Sequence, residues 1–384
     1  MHDVADFLHV TTLPRSGGNF APHCVRKRVA SRRRTDYFSA PRNVAALEFR
    51  DMTFSTKSTW VPHAAAVLFG LSLATAAVAR GDSGYRIADT WPVGGTGKWD
   101  YLMVDSSHHR LFVSRATHVQ VFDLDSGKLA GNIENTPGVH GIALAQDMNR
   151  GFISNGKGDS VTVFNLETLA TITEIKISGK DPDAIIYDAP SKRVFTFNGR
   201  SNNSTVIDAG SAREVATIAL PGRPEFAVSD GTGRIFVNLE DKGQIAVIDV
   251  AKGGVQATWS LAPCVEPTGI AMDTARHRLF SVCHNERLIV TDSGTGKRIA
   301  ELPIGKHVDA AAFDPATSLV FSSNGDSADV SVIFAATADR YITRGSLATA
   351  AGSKTMALDV ASHRLYVPAM APSGFEILVG APVN

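Results

Sequence analysis

The chain of 384 residues is 44% hydrophobic and 20% charged and carries 33 Gly, which excludes a disordered chain and leaves material for a sizeable core. Lys+Arg and Asp+Glu balance at 38 each, yet residues 1–79 hold 10 basic and 5 acidic side chains, leaving 28 and 33 for residues 80–384. A mildly acidic globular part excludes a general nucleic-acid binder, and no apolar run reaches the roughly 18 residues of a membrane span.

The first eighty residues read as an address. Lys57 follows Met52, a mostly apolar stretch runs from Ala64 to Val78, and Ala77-Val78-Ala79 precedes polar Arg80-Gly81-Asp82. Charge, apolar block, small-x-small site and polar continuation is the order of a secretory signal. The expectation is a signal peptide over 52–79 and a mature chain that is periplasmic or secreted. Residues 1–51, with Arg26-Lys27-Arg28 and Arg32-Arg33-Arg34 but little periodicity, are expected to be a disordered, non-native upstream extension, with translation starting at Met52.

From residue 80 the chain repeats. Seven units share an aromatic anchor at Phe112, Phe152, Phe195, Phe236, Phe280, Phe321 and Tyr366, spaced 40 to 45 residues apart. That period matches a four-stranded propeller blade. Each unit holds short runs rich in Val, Ile and Phe, bounded by Gly, Asp, Asn, Ser or Pro. First strands pair one larger apolar face (Ile142/Leu144, Ile270/Met272) with one small face (Gly141/Ala143, Gly269/Ala271), as a sheet between two sheets requires. The expected fold is all-β: a seven-bladed β-propeller of four-stranded antiparallel blades over residues 80–384. The seventh unit lacks a fourth strand, whereas Tyr85–Trp91 precedes the first blade with no blade of its own. This N-terminal strand is predicted to complete the last blade and leave no open edge.

On Arg150-Gly151-Phe152-Ile153-Ser154-Asn155 with Ser160–Thr168, and on Arg234–Val237 with Gln244–Val250, the chain resembles the YVTN-repeat β-propellers, in particular the YncE-like exported proteins. The resemblance spans residues 85–384 and implies the fold and export, with no assigned activity. The tetrapeptide itself never occurs. Its final Asn is kept at Asn155, Asn198 and Asn324, and is Arg115, Leu239, Cys283 or Ala369 elsewhere.

Features common to most blades belong to the scaffold. Asp105, Asp188, Asp273 and Asp359 recur at the turn after the first strand, where Asp can accept from backbone amides two residues on. Function should lie where the repeat varies. The residue that opens each innermost strand is Asp100, His140, Asp183, Glu225, Thr268, Asp309 and Lys354 in turn, all polar and four acidic. Convergence at the channel mouth makes these the ligand or metal candidates. With oxygens from Asn155, Asn198 and Asn324 in support, they could hold Ca²⁺ or Mg²⁺. Such an ion would polarise a lactone or ester carbonyl with His140 as general base. The competing reading is a polar, wet strand end in which Lys354 neutralises the ring without an ion.

Blade five carries Cys264 before its first strand and Cys283 at the end of its second. A disulfide is expected in an oxidising compartment. A Cys/His metal or nucleophile cluster with Glu266 and His284 is the alternative. Trp99, Arg115, His118, Arg223, Phe226, Lys306 and His307 add a mixed aromatic and charged surface. No Gly-x-Ser-x-Gly elbow is present.

Three functions remain open. The first is an exported, monomeric binding or scaffold propeller that recognises a protein or small-molecule partner on its top face. The second is a metal-dependent hydrolase resembling propeller lactonases. The third is a redox-partner propeller similar in fold to the heavy subunits of quinone-dependent amine dehydrogenases or to haem-d domains. The first is preferred, without a cofactor and without nucleic acid.

Overall fold

The computed structural model describes residues 82–383. The proposed signal peptide, the upstream extension and Cys24 lie outside the described residues. Seven four-stranded antiparallel sheets form, each with its strands in chain order from the axis outwards, apart from the last. Blade one runs Leu102–Asp105, Arg110–Arg115, His118–Asp123 and Leu129–Ile133. The innermost strands of blades two to seven are Val139–Ala145, Pro182–Asp188, Pro224–Ser229, Pro267–Asp273, Val308–Asp314 and Ala357–Asp359. Among the described residues the only helical pieces are three 3₁₀ turns, at Gln146–Met148, Gly156–Gly158 and Glu240–Lys242.

The ring closes as the sequence predicts. Strand Tyr85–Pro92 pairs antiparallel with Gly374–Pro382 and becomes the outermost strand of blade seven. Tyr85 and Trp91 are both 6% exposed, and the Trp91 ring lies 5.3 Å from that of Tyr366. The N-terminal strand thus covers both the open edge and the aromatic anchor of the last blade.

The core consists of seven apolar clusters, each formed between two neighbouring blades. All seven anchors are buried there, from Phe112 at 0% exposed to Tyr366 at 1%. The small face of the first strands has a direct cause. A Cβ on Gly141 would stand 2.9 Å from the Ile185 side chain, and one on Gly269 would stand 2.6 Å from the Ala311 amide. The next blade's backbone occupies that space.

Polar groups fasten the blades at both ends. At the lower end Asp105, Asp188 and Asp359 accept from hydroxyl or amide groups of their own turns. Beside them Arg110, Arg150, Arg234 and Arg278 donate to main-chain oxygens of Leu166, Ala209, Ser293 and Ala338, each in the outer turn of the following blade. The Asp therefore sets its turn, and the Arg fixes the angle to the next sheet.

Candidate functional site

The top face is the end at which the innermost strands begin. Their opening residues are held by the preceding blade. Ser114 donates to the His140 carbonyl at 2.5 Å, Ser154 to that of Asp183 and Ser323 to that of Lys354. Asn238 donates to the Thr268 carbonyl at 2.8 Å, and Thr355 to the Asp100 carbonyl at 2.9 Å. These donors fix the backbone beneath each mouth residue, so side-chain positions around the axis are set by inter-blade packing. For the four Ser and Asn donors the signal in the sequence is a Ser or Asn one place before the end of the second strand.

Six of the seven mouth residues share one electrostatic neighbourhood. His140 Nδ1 donates to Asp100 Oδ2 at 2.6 Å and lies 3.6 Å from Asp183 Oδ1. Lys354 Nζ donates to Asp309 Oδ2 at 2.5 Å. Burial works against the imidazolium, but the hydrogen bond to Asp100 and the charges of Asp183 and Asp100 prevail and push His140 up to about 9. Burial pushes the Asp183 carboxyl up to about 7, with His140 opposing and Asp100 and Asp309 reinforcing. Burial and the charges of Asp183 and Asp309 raise Glu225 well above the usual carboxylate range. Burial also raises Asp309, against the pull of Lys354. The Lys354 ammonium, disfavoured by burial, is held above its ordinary value by Asp309.

Room for His140 is made by Gly156. A Cβ there would stand 2.7 Å from His140 Nε2 and 2.8 Å from Asp181 Oδ1. Beside the carboxylates, Tyr101 from blade one and Phe226 from blade four meet with ring centroids 5.0 Å apart. Tyr101 is 7% exposed, and the charges of Glu225, Asp183, Asp309 and Asp100 add to burial in raising its phenol well above 10. This aromatic pair lines an apolar cavity of about 390 Å³, whose wall also includes Met103, Leu144 and Ile186. A second hollow of about 420 Å³ beside the cup is lined by Trp99, Asp100 and Lys354.

The remaining candidates stand apart from the cup. Thr268 is 2% exposed and donates to the Val308 carbonyl, which makes it part of the blade contact. Asn155, Asn198 and Asn324 are fully buried and donate outwards to Thr162, Thr205 and Ser331 of their own third strands. They do not extend the carboxylate set, because each amide is needed inside its hairpin. Arg115 lies over the Phe375 ring at 3.8 Å, and Trp99 packs on the same ring. Glu266 accepts from His284 at 2.9 Å and forms, with Glu240, a more exposed cluster; Glu240 is already paired with Arg223.

Cys264 and Cys283 are joined in a disulfide with Cα atoms 5.5 Å apart, as the sequence predicts, so no cysteine ligand or nucleophile is offered to His284. The bridge fits an oxidising compartment. The donor set that remains for a metal is Asp100, His140 and Asp183, whose ligand atoms lie within 4.8 Å of one another.

No protein-family model and no curated protein matches this chain. Among solved structures, a chain of Kuenenia stuttgartiensis hydrazine synthase is similar with a TM-score of 0.62 and 17% identity, over 72% of this chain and 94% of that one. At this identity the likeness carries the propeller fold alone.

Proposed function

We propose that this chain is an exported binding propeller of the YVTN-repeat kind, monomeric, which recognises a protein or small-molecule partner on its top face. One observation carries the reading. The mouth residues that differ from blade to blade meet in an acidic cup beside the Tyr101–Phe226 contact, and only two internal cations, His140 and Lys354, face its four carboxylates. A polar cup on a rigid ring is the form of a recognition site. The disulfide and the signal-like segment over 52–79 support export.

A metal-dependent, lactonase-like hydrolase is the second reading, favoured by the closeness of Asp100, His140 and Asp183. It requires His140 to give up a proton and use Nε2 as a ligand or base, although Asp100 and Asp183 stabilise the imidazolium. Calcium or magnesium would also find the oxygens of Asn198 and Asn324 engaged, since they accept from Thr196 and Ser322. The first reading asks for no such rearrangement.

Native mass spectrometry of the protein isolated from its own envelope separates the two. Binding predicts a retained partner or small ligand that is lost in the Asp183→Asn, Glu225→Gln double variant. A retained divalent ion with turnover of simple lactones would overturn it.

A further inference from the structure

The binding reading leaves the chemistry of the occupant open, and the cup narrows it; the inference below rests on that reading. Four carboxylates surround the mouth and two internal cations oppose them. Asp100 is taken by His140 and Asp309 by Lys354. Glu225 has no ion-pair partner among the described residues, and Asp183 only shares His140 at 3.6 Å, its buried Oδ1 making no hydrogen bond among the described residues. An independent observation points to the same place. The 7% exposed Tyr101 stands in the field of Glu225, Asp183, Asp309 and Asp100, and its hydroxyl makes no hydrogen bond among the described residues. A phenol hydroxyl without a hydrogen bond among the described residues and two carboxylates that the internal cations do not fully offset thus share one neighbourhood beside two tilted rings.

We propose that the cup receives a primary ammonium group on an unbranched aliphatic arm, carried by a free amine or by a lysine side chain of a protein partner. An ammonium offers three donors in a compact tetrahedral head, and the cup offers three acceptors: Asp183, Glu225 and the Tyr101 oxygen. A single positive charge suits two carboxylates whose mutual repulsion is already high.

Other cations match less well. Calcium takes about six to eight oxygens, whereas Asp100 and Asp309 are engaged and the protonated His140 and Lys354 flank the site. A guanidinium is a planar fork suited to one bidentate carboxylate, not to three separate acceptors. A quaternary ammonium would donate nothing to the carboxylates.

Titration calorimetry on the full mature chain tests this with n-butylamine, N-acetyl-lysine methylamide, tetramethylammonium, calcium and magnesium as probes. Both primary amines should bind at up to millimolar concentration, and tetramethylammonium should not. Glu225→Gln should weaken the amines by about tenfold or more, and Tyr101→Phe by a smaller factor, with melting curves showing that both variants fold. Tighter binding of the blocked lysine assigns the group to a protein partner, and tighter binding of butylamine assigns it to a free amine. No heat with either amine overturns the proposal, as does amine binding unchanged in both variants or a divalent ion that displaces the amines. If a native adduct persists while these probes fail, the ammonium assignment falls and the binding reading stands. If neither is seen, both fall.

Discussion

Tyr101 and Phe226 meet across the axis of the ring, 5.0 Å between centroids, although they belong to the innermost segments of blades three apart. Both line the apolar cavity, and Tyr101 also stands in the field of the mouth carboxylates. Tyr101→Phe removes a hydroxyl that makes no hydrogen bond among the described residues, so stability should stay within about 0.5 kcal/mol of wild type or rise. Phe226→Ala should cost about 1–3 kcal/mol, less than the roughly 3–5 kcal/mol expected for the fully buried Phe280→Ala, because Phe226 is only half-buried. Urea unfolding of the three variants checks the order. A loss for Phe226→Ala equal to that for Phe280→Ala would mean that the aromatic pair belongs to the core.

Removal of residues 80–95 takes away the strand that pairs with Gly374–Pro382 and exposes the edge of blade seven. It also uncovers Tyr366, Phe321 and Phe122, which the rings of Trp91 and Tyr85 cover. The truncated chain should melt well below the full one and associate through the free edge. An unchanged melting temperature would refute closure by this strand.

The fold was legible because blade sheets are local: each anchor, each turn Asp and each strand is decided within about 45 residues. Even the closing strand could be inferred, since a missing fourth strand and a spare one have only one arrangement. The ring of mouth residues followed from the same repeat. Its pairing did not, because the partner of Lys354 is settled by the packing of one blade on the next. Tyr101 was missed for a related reason: one residue past Asp100, it reads as an ordinary strand position until Phe226 is brought opposite. Asn155, Asn198 and Asn324 misled in the other direction. Their recurrence marked a hairpin device in which Nδ2 bridges to the third strand.

Neutralising Asp183 and Asp309 should have opposite effects, although sequence alone treats them alike. Asp183→Asn removes a buried charge that Asp100 and Asp309 repel, and should leave stability unchanged or slightly raised at pH 7. Asp309→Asn leaves the Lys354 ammonium without its carboxylate and should cost on the order of 1–2 kcal/mol, discounted because Lys354 is more than a third exposed. Thermal melts with and without calcium check both statements. Stabilisation of the wild type by calcium that is lost in either variant would instead place an ion in the cup.

The disulfide joins residues 19 apart, Cys264 in the connection from blade four to blade five and Cys283 at the end of the second strand of blade five. For a loop of this size the expected stabilisation is about 3 kcal/mol. The Cys264→Ala, Cys283→Ala double variant should unfold at lower urea by that margin, with binding at the cup retained. Two free thiols titrated in the untreated wild-type protein would remove the premise.

The cup also sets a dependence of stability on pH. The Asp183 carboxyl moves from an ordinary 3.8 up to about 7 in the folded chain, and His140 from 6.5 up to about 9. In both windows the native state holds more protons than the unfolded state, so this cluster makes stability fall as pH rises. Between about pH 4 and 7 the loss comes from forcing a second buried carboxylate to ionise, with Glu225 acting in the same sense. The stabilisation from the protonated His140 with Asp100 is fully present below about 6.5 and disappears as pH rises through about 9. Asp309 and Lys354 face the same space, where burial raises Asp309 against the pull of Lys354 and Asp309 holds Lys354 above its ordinary value. Other groups titrate elsewhere in the chain, so the informative quantity is the difference between wild type and variant. Urea unfolding from pH 4 to 9 should show Asp183→Asn gaining on wild type as pH rises towards 7 and holding that gain above it. His140→Gln should instead lose on wild type at low pH and approach it above pH 9. A constant difference across the range for both variants would mean that the cup does not hold these protons.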